Sequence, residues 1–323
     1  MEQTQLVPSK KLLKRYVILG VIVLVLLLLS PFIYTAVILY GGYPANGLTN
    51  VITQRIAYPA AIVGKQRITY HDYVADVNQI EQMNKRVAGD PSLANGVTLP
   101  TRAELAESEL DRLIDKAVLE QTAQRLGVTV TAAEVDTAFT DEVMSQSQTD
   151  EATINQTLQE LYGWTITDFK TNVLQELVLR QKVNNHLLTN DKAALSAGPQ
   201  QTINDIAQQL TQDSNKFVDL AKQYSEDGTK DLGGDLDWIK KGDTVPAFEA
   251  AAFALTEPNQ ISPVVETEFG FHLIQLIEKK AATDTEPEQV HVRHILIKFS
   301  LDDYLKQQRA GMRVWKWVKT DKI

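Results

Sequence analysis

The chain contains no cysteine, and between Arg15 and Arg55 it carries no charged residue. The first absence excludes disulfides, thiolate nucleophiles, zinc–thiolate sites, c-type haem attachment and a lipidated cysteine. Basic residues are also scarce: 32 Lys and Arg stand against 41 Asp and Glu, a net charge of −9 over 323 residues. The first fifteen residues carry +3, so everything from Tyr16 onward carries −12. A body that acidic does not neutralise phosphate backbones, and no nucleic-acid partner is expected. The length allows two ordinary domains, each burying its own core.

What fills the uncharged stretch is apolar. Residues 16–40 read YVILGVIVLVLLLLSPFIYTAVILY. As a helix at ~1.5 Å per residue the run would be ~37 Å long, enough to cross a hydrocarbon core with some tilt. A cleaved signal peptide is the rival, but its apolar part usually runs only ~7–15 residues and ends at a small-residue site. The nearest approach to such a site, Ala45-Asn46-Gly47, lies well past the run. Lys10, Lys11, Lys14 and Arg15 directly precede it, which keeps the N-terminus cytoplasmic. The expectation is a cytoplasmic basic tail over 1–15, a transmembrane helix through the lipid bilayer over 16–40, and the rest of the chain on the far side of the cell membrane.

Residues 41–50 form a short connector, and 61–73 (AIVGKQRITYHDY) predict a strand, a turn at Gly64-Lys65 and a second strand or helix start. From Thr101 to Leu126, Leu105, Leu110, Leu113, Ile114, Ala117 and Val118 recur at helical spacing, and Gly127 stands where a C-terminal cap belongs. Thr131 and Glu134 form a capping box for the next helix. Another helix runs through Ile154, Leu158 and Leu161 to Gly163, after which Thr165 or Thr167 caps a longer one. No catalytic constellation appears here, and His71 and His186 stand alone. The residues describe a helical module whose grooves suit apolar peptide. Its segments GKQRITYHDY, LDRLIDKAVLEQTAQRLGVTVTAAEVD and LYGWTITDFKTNVLQELVLRQKV resemble the N-terminal chaperone domain of SurA/PrsA-like proteins, over roughly residues 58–190 of a domain placed at 41–190.

Residues 190–201 (NDKAALSAGPQQ) read as a linker, followed by a helix from Thr202 to Leu210 and another carrying Phe217, Leu220 and Ala221. Beyond lie Glu226, Asp227, Asp231, Asp235 and Asp237, which raise a cation site or a glycosidase pair as candidates. The spacing misses the twelve-residue calcium loop, and no exposed aromatics accompany the acids to form a sugar cleft. A solvated acidic loop is the simpler reading of those carboxylates, and no metal is expected. The same stretch carries Tyr224-Ser-Glu-Asp227, Gly233-Gly-Asp-Leu-Asp-Trp238, Pro246-Ala-Phe-Glu-Ala-Ala-Ala-Phe253, Ile261-Ser-Pro-Val264 and Gly270-Phe-His-Leu-Ile274. These five linked motifs closely resemble the parvulin family of peptidyl-prolyl isomerases, with Asp237 standing where that family usually has Gly.

The residue types suit that chemistry. Rotation about a peptide C–N bond faces a barrier of ~18–20 kcal/mol because of its partial double-bond character. For X–Pro the two isomers lie within ~1 kcal/mol of each other, yet uncatalysed exchange takes tens of seconds or more. Twisting the bond removes the resonance, so an apolar ring pocket and a few well-placed hydrogen bonds suffice, with no cofactor, metal or nucleophile. The resemblance implies a proline pocket lined by Leu236, Thr244, Phe248 and Phe269, Met being usual at the Thr244 position. It also implies Asp227, in an electrostatic or hydrogen-bonding role, and His272 and His294, the two histidines beneath the pocket, as catalytic residues, a satisfied core group that orients its neighbours being the other reading of His272.

The family's opening strand, of the form R-H-I-L-I, is missing before Thr202 and turns up instead at Val290–Lys298 (VHVRHILIK). Either the C-terminal strand folds back into the empty place in the sheet, a circular permutation, or Val290 begins a truncated second repeat. The first is preferred, because the connector after Glu278 is long enough to join antiparallel neighbours and an orphan strand would leave an open sheet edge. The closing MRVWKWVK is either a further strand, with Trp315 and Trp317 pointing the same way, or a tail near lipid headgroups.

The expected fold is α+β: a transmembrane helix, a mostly helical SurA-like domain, and a parvulin-like α/β domain over 200–323 with a small antiparallel sheet completed by 290–298. The expected function is isomerisation of X–Pro bonds in unfolded, exported chains by a membrane-anchored foldase. A non-catalytic holdase or scaffold that only binds peptide is the alternative.

Overall fold

The structure, a computed structural model, describes Val25 and residues 28–42, 46–89, 98–145 and 149–323. These fall into two compact units, one built from the residues up to Arg125 with Thr129–Val178 and Arg309–Ile323, the other from Leu126–Val128 and Leu179–Gln308. Among the described residues no helix is long and apolar enough to cross a membrane. Part of the run expected to do so, residues 16–24, 26 and 27, lies outside the described residues, and 28–41 are helical.

In the first unit, α1 (Gly47–Arg55) is followed by the hairpin β1 (Pro59–Val63) and β2 (Gln66–Thr69), turning at Gly64 with φ +56°. Then come α2 (Tyr70–Gly89) and α3 (Arg102–Leu126). The helical repeat of α3 buries Leu105, Leu110, Ile114, Ala117 and Val118, and Gly127 ends it at φ +70°. The buried Tyr73 of α2 donates its hydroxyl to the Ala106 carbonyl at 2.8 Å. Gln121 of α3 reaches the Val63 carbonyl at 2.9 Å, tying the helix to the hairpin. Helix α4 (Ala132–Ala138) starts on the Thr131–Glu134 capping box and passes into a π-helical turn, Phe139–Met144. Helix α5 (Glu151–Tyr162) ends at Gly163, and α6 (Ile166–Phe169) is capped by Thr165 rather than Thr167. A second π-helical turn, Lys170–Leu174, joins α6 to α7 (Gln175–Asn190), whose residues from Leu179 on belong to the second unit.

The tail decides its own question. Residues Val314–Lys316 form β7, which pairs antiparallel with β1 to give the order β2-β1-β7. Residues 309–323 therefore group with the first unit, not with the 200–323 domain expected from the sequence. The reason is the open edge of β1, which the alternating tail covers.

In the second unit the expected linker over 190–201 is instead part of α8 (Lys192–Gln212). Leu195, Pro199, Ile203, Ile206 and Leu210 recur at helical spacing on its buried side, and that apolar face outweighs the usual penalty for an internal proline. Next come α9 (Phe217–Tyr224), β3 (Asp235–Lys240), α10 (Pro246–Ala254), β4 (Val265–Glu266), β5 (Gly270–Lys280), β6 (Gln289–Lys298) and α11 (Leu301–Gly311). The sheet runs β3-β6-β5-β4, every neighbour antiparallel. The displaced strand β6 thus occupies a central place, paired along its length with β5 from Gly270 opposite Lys298 to Lys280 opposite Gln289.

Both faces of this sheet are covered. Ile203, Ile206 and Leu210 of α8 and Phe217 and Leu220 of α9 pack on Phe271, Leu273, Ile295 and Ile297. Phe248 and Ala252 of α10 pack on Ile274, Leu276, Val290 and Val292. Strand alternation puts His272 and His294 on the α10 face.

Candidate functional site

The site forms where the Tyr224–Asp227 segment, β5, β6 and α10 meet. Helix α9 ends at Tyr224, and the segment after it runs along β6. Glu226 donates its amide to the Leu296 carbonyl at 2.8 Å, and the buried Ser225 hydroxyl accepts from the Leu296 amide at 3.1 Å. Glu226 also accepts from the Lys298 amide at 2.6 Å. This clamp presents Asp227 to His294. The turn that follows needs its glycines, since Gly233 and Gly234 sit at φ +72° and +81° and the Gly234 carbonyl accepts from the His294 amide at 2.8 Å. Asp237, in the place where Gly was expected by resemblance, takes φ +58° and donates its amide to Asp235 Oδ1 at 2.8 Å. Aspartate is among the residues that tolerate this region because a short polar side chain can bond locally.

Four side chains line up across the two strands. The hydroxyl of Thr267 lies 2.8 Å from Nε2 of His272, whose Nδ1 lies 3.3 Å from Nδ1 of His294. Nε2 of His294 is 3.3 Å from Oδ2 of Asp227, close but off the line of a hydrogen bond. Asp227 in turn accepts from the Thr229 hydroxyl at 2.6 Å and the Thr229 amide at 2.8 Å. The two imidazoles are nearly parallel, 17° apart with centroids 5.5 Å from each other. The buried ring of Phe248 stands edge-on to both, at 5.3 Å from His272 and 5.5 Å from His294.

Electrostatics select one direction for the protons. Burial pushes the Asp227 carboxyl up, but the Thr229 hydrogen bonds and the facing His294 outweigh it and hold it down at about 2. Burial, and then the neighbouring His294, push His272 down to about 4. Burial likewise lowers His294, against the pull of Asp227. Both imidazoles are therefore neutral at pH 7 beside an ionised carboxylate. His294 then keeps its proton on Nε2, toward Asp227, and leaves Nδ1 as an acceptor. His272 donates from Nδ1 and accepts on Nε2 from the Thr267 hydroxyl. Thr267 Oγ1 accepts in turn from the Phe269 amide at 3.1 Å. The reverse order would set a bare His294 nitrogen against the carboxylate.

Of the residues expected from the sequence, Asp227, His272, His294 and Phe248 come together here. Leu236 joins the apolar cluster that contains Phe248. Phe269 is attached through its backbone to Thr267, while its ring is 54% exposed. Thr244 is half-buried two residues ahead of α10, its hydroxyl buried without a partner. Thr267, Thr229 and Ser225 complete the polar arrangement and were not singled out in the sequence, where hydroxyls in turns are too common to signal a site. The arrangement offers an apolar surface above a rigid hydrogen-bonded chain. Every nitrogen of these two imidazoles except His294 Nε2 is hydrogen-bonded, and that one faces Asp227, so neither ring is a free nucleophile.

Comparison with known proteins gives two overlapping family matches. Residues 11–219 match the SurA-like N-terminal domain, and residues 185–278 match the rotamase family described as the PPIC-type PPIASE domain. The second match stops before β6. Chaperone SurA of Bordetella parapertussis is 40% identical over 129 residues, which is 38% of this chain and 24% of that protein. Chaperone SurA of Methylobacillus flagellatus is 42% identical over 145 residues, 44% of this chain and 33% of that protein. The chain spans a third or less of the length of these curated relatives. A crystal structure of PrsA from Bacillus subtilis is similar at 21% identity and a TM-score of 0.20, covering 63% of this chain and 73% of that one, a likeness that carries no argument.

Proposed function

Because the chain belongs to the family of the SurA-like N-terminal domain and carries a parvulin-type PPIase domain, we propose that it is a membrane-anchored, extracytoplasmic foldase isomerising X–Pro bonds in unfolded, exported chains. The observation that carries the catalytic reading is the chain Thr267–His272–His294–Asp227 beneath Phe248. In this reading Phe248, Leu236, Phe269 and Thr244 receive the proline ring. Asp227 stays ionised next to the imide carbonyl and disfavours the charge-separated resonance form that gives the bond its double-bond character. The two histidines act as positioning residues: uncharged and mutually bonded, they hold Asp227 and Phe248 in register at little reorganisation cost. A protease-coupled prolyl-peptide assay on the full chain tests this. Activity that falls sharply in Asp227→Ala while the melting transition is kept supports it, and an inactive wild type overturns it.

One observation favours a second reading, a holdase that binds peptide without turning it over. The buried Thr244 hydroxyl has no partner, so the pocket wall is more polar than a proline ring prefers. Suppression of aggregation by a chain without isomerase activity would select it. The anchor in the proposal rests on the uncharged run from Tyr16, on its length, and on the basic flank before it. Protease added to intact cells should remove everything beyond the run and spare a short N-terminal stub.

A further inference from the structure

The uncharged stretch does not stop where a membrane span would. It continues to Gln54, through a connector and α1, and the structure ties those residues to the helical residues 28–41. Tyr58 donates its hydroxyl to the Phe32 carbonyl at 2.8 Å, and Tyr40 donates to the Pro59 carbonyl at 3.1 Å. Asn46, the N-cap of α1, bonds the Tyr34 hydroxyl at 3.0 Å. The Tyr40 ring lies 5.6 Å from Trp317 and 6.5 Å from Tyr58. Thr35 and Leu39 are buried, so from Thr35 onward this helix already has protein against one side.

The other side does not. Ile33, Tyr34 and Val37 are exposed, as are Leu48 and Val51 of α1. Trp315 is 55% exposed and Trp317 45%, although β7 is paired with β1 and its backbone is satisfied. Trp315 lies in β7 and Trp317 directly follows it, its amide still bonded to the Ala60 carbonyl at 2.9 Å and its ring against Tyr40. Two half-exposed tryptophans, three tyrosines and the exposed aliphatic side chains of Ile33, Val37, Leu48 and Val51 form one surface around residues 32–40. Tryptophan and tyrosine concentrate at the boundary between hydrocarbon and water, where an apolar ring and a polar handle are both satisfied. A ~30 Å hydrocarbon core takes only about twenty helical residues, fewer than the uncharged run 16–40 expected to cross it. A span ending at Tyr34 would bring the boundary level with the first contacts that Tyr58 and Asn46 make.

We propose that the first unit docks on the bilayer surface itself, with Trp315 and Trp317 of the C-terminal strand inserted in the interface beside Tyr34, Tyr40 and Tyr58. The C-terminal tail is thus both the third strand of the sheet and a second membrane contact, holding the unit against the lipid from which its own helix emerges. This rests on the anchor reading above, and the test separates the two.

The full-length protein is reconstituted into phosphatidylcholine–phosphatidylglycerol vesicles, with and without lipid brominated near the headgroup end of its chains, and compared with a Trp315→Phe/Trp317→Phe variant. Expected is flotation of both proteins with the vesicles, quenching of wild-type tryptophan emission by brominated lipid, and loss of most of that quenching in the double variant. Flotation with equal quenching in both would overturn the interfacial insertion and leave the anchor standing. Failure to float would overturn the anchor and this inference together. Emission that ignores brominated lipid but shifts on adding an unfolded polypeptide would assign the surface to a protein ligand instead.

Discussion

At the scale of single residues, the paired histidines link the site to pH. His272 is held near 4 in the folded chain by burial and by His294, against an ordinary value of 6.5. As pH falls below 6.5 the unfolded chain takes up a proton that the folded one refuses, so stability present above 6.5 is lost progressively toward 4. The loss from this group is on the order of 3 kcal/mol. Asp227, lowered from 3.8 to about 2, adds a further loss only below pH 4. Urea midpoints of the second unit should therefore drop between pH 7 and pH 5, and His272→Asn should flatten that slope. Phe248→Ala removes a buried ring that touches both imidazoles, with an expected cost of ~3–5 kcal/mol and a sharp fall in isomerase turnover. Gly234 is a backbone requirement: a Cβ there would lie 2.0 Å from the His294 carbonyl oxygen. Gly234→Ala should abolish the cooperative transition of the second unit in calorimetry, whereas alanine at Gly228, where a Cβ meets nothing within 4 Å, should not.

At the scale of elements, two strands from the end of the chain do different work. Strand β6 lies between β3 and β5, so removing it exposes two ladders and separates His294 from His272. Strand β7 covers only the β1 edge, with Lys316 and Arg309 also reaching Asp111 at 2.9 and 2.7 Å. A chain ending at Glu288 should lose the melting transition of the second unit and any isomerase activity, because buried backbone groups would be left unpaired. A chain ending at Gly311 should keep that transition and lower the stability of the first unit alone. Had β6 begun a second repeat, the shorter chain would have kept a finished sheet. Strand β6 holds a central place in the order β3-β6-β5-β4, and the two truncations separate a permuted strand from the start of a second repeat.

At the scale of the whole molecule, a SurA-like domain and a parvulin-type PPIase domain share one polypeptide, with the matches overlapping over residues 185–219. Helix α8 occupies much of that overlap, so the segment 190–201, read as a linker, is helical from Lys192 onward with Leu195 and Pro199 buried. If the two domains act on one client, mixing Asp227→Ala with wild type should leave aggregation suppression unchanged while isomerase activity falls in proportion to the variant added. Suppression and turnover falling together would mean that peptide binding itself depends on the prolyl site.

What was legible in the sequence is what short-range chemistry decides. Gly127, Gly163 and Gly233-Gly234 sit at left-handed positions, and the Thr131–Glu134 box caps α4, because each depends on residues within a turn of itself. The motifs likewise single out His272 and Phe248, whose rings lie 5.3 Å apart, and the mixture of helices with small antiparallel sheets follows from the same periodicities. The choice between Thr165 and Thr167 as a cap was not, nor the helix over 190–201, since Pro199 and Gly198 argue locally for a break that buried Leu195 and Ile203 override. Thr267 meets His272 only because a turn folds back on β5. Strand β6 fills the second sheet and β7 the first, although α11 alone separates them in the chain. An alternating strand sequence offers its edge to any partner, and only the assembled sheets decide which open edge accepts it.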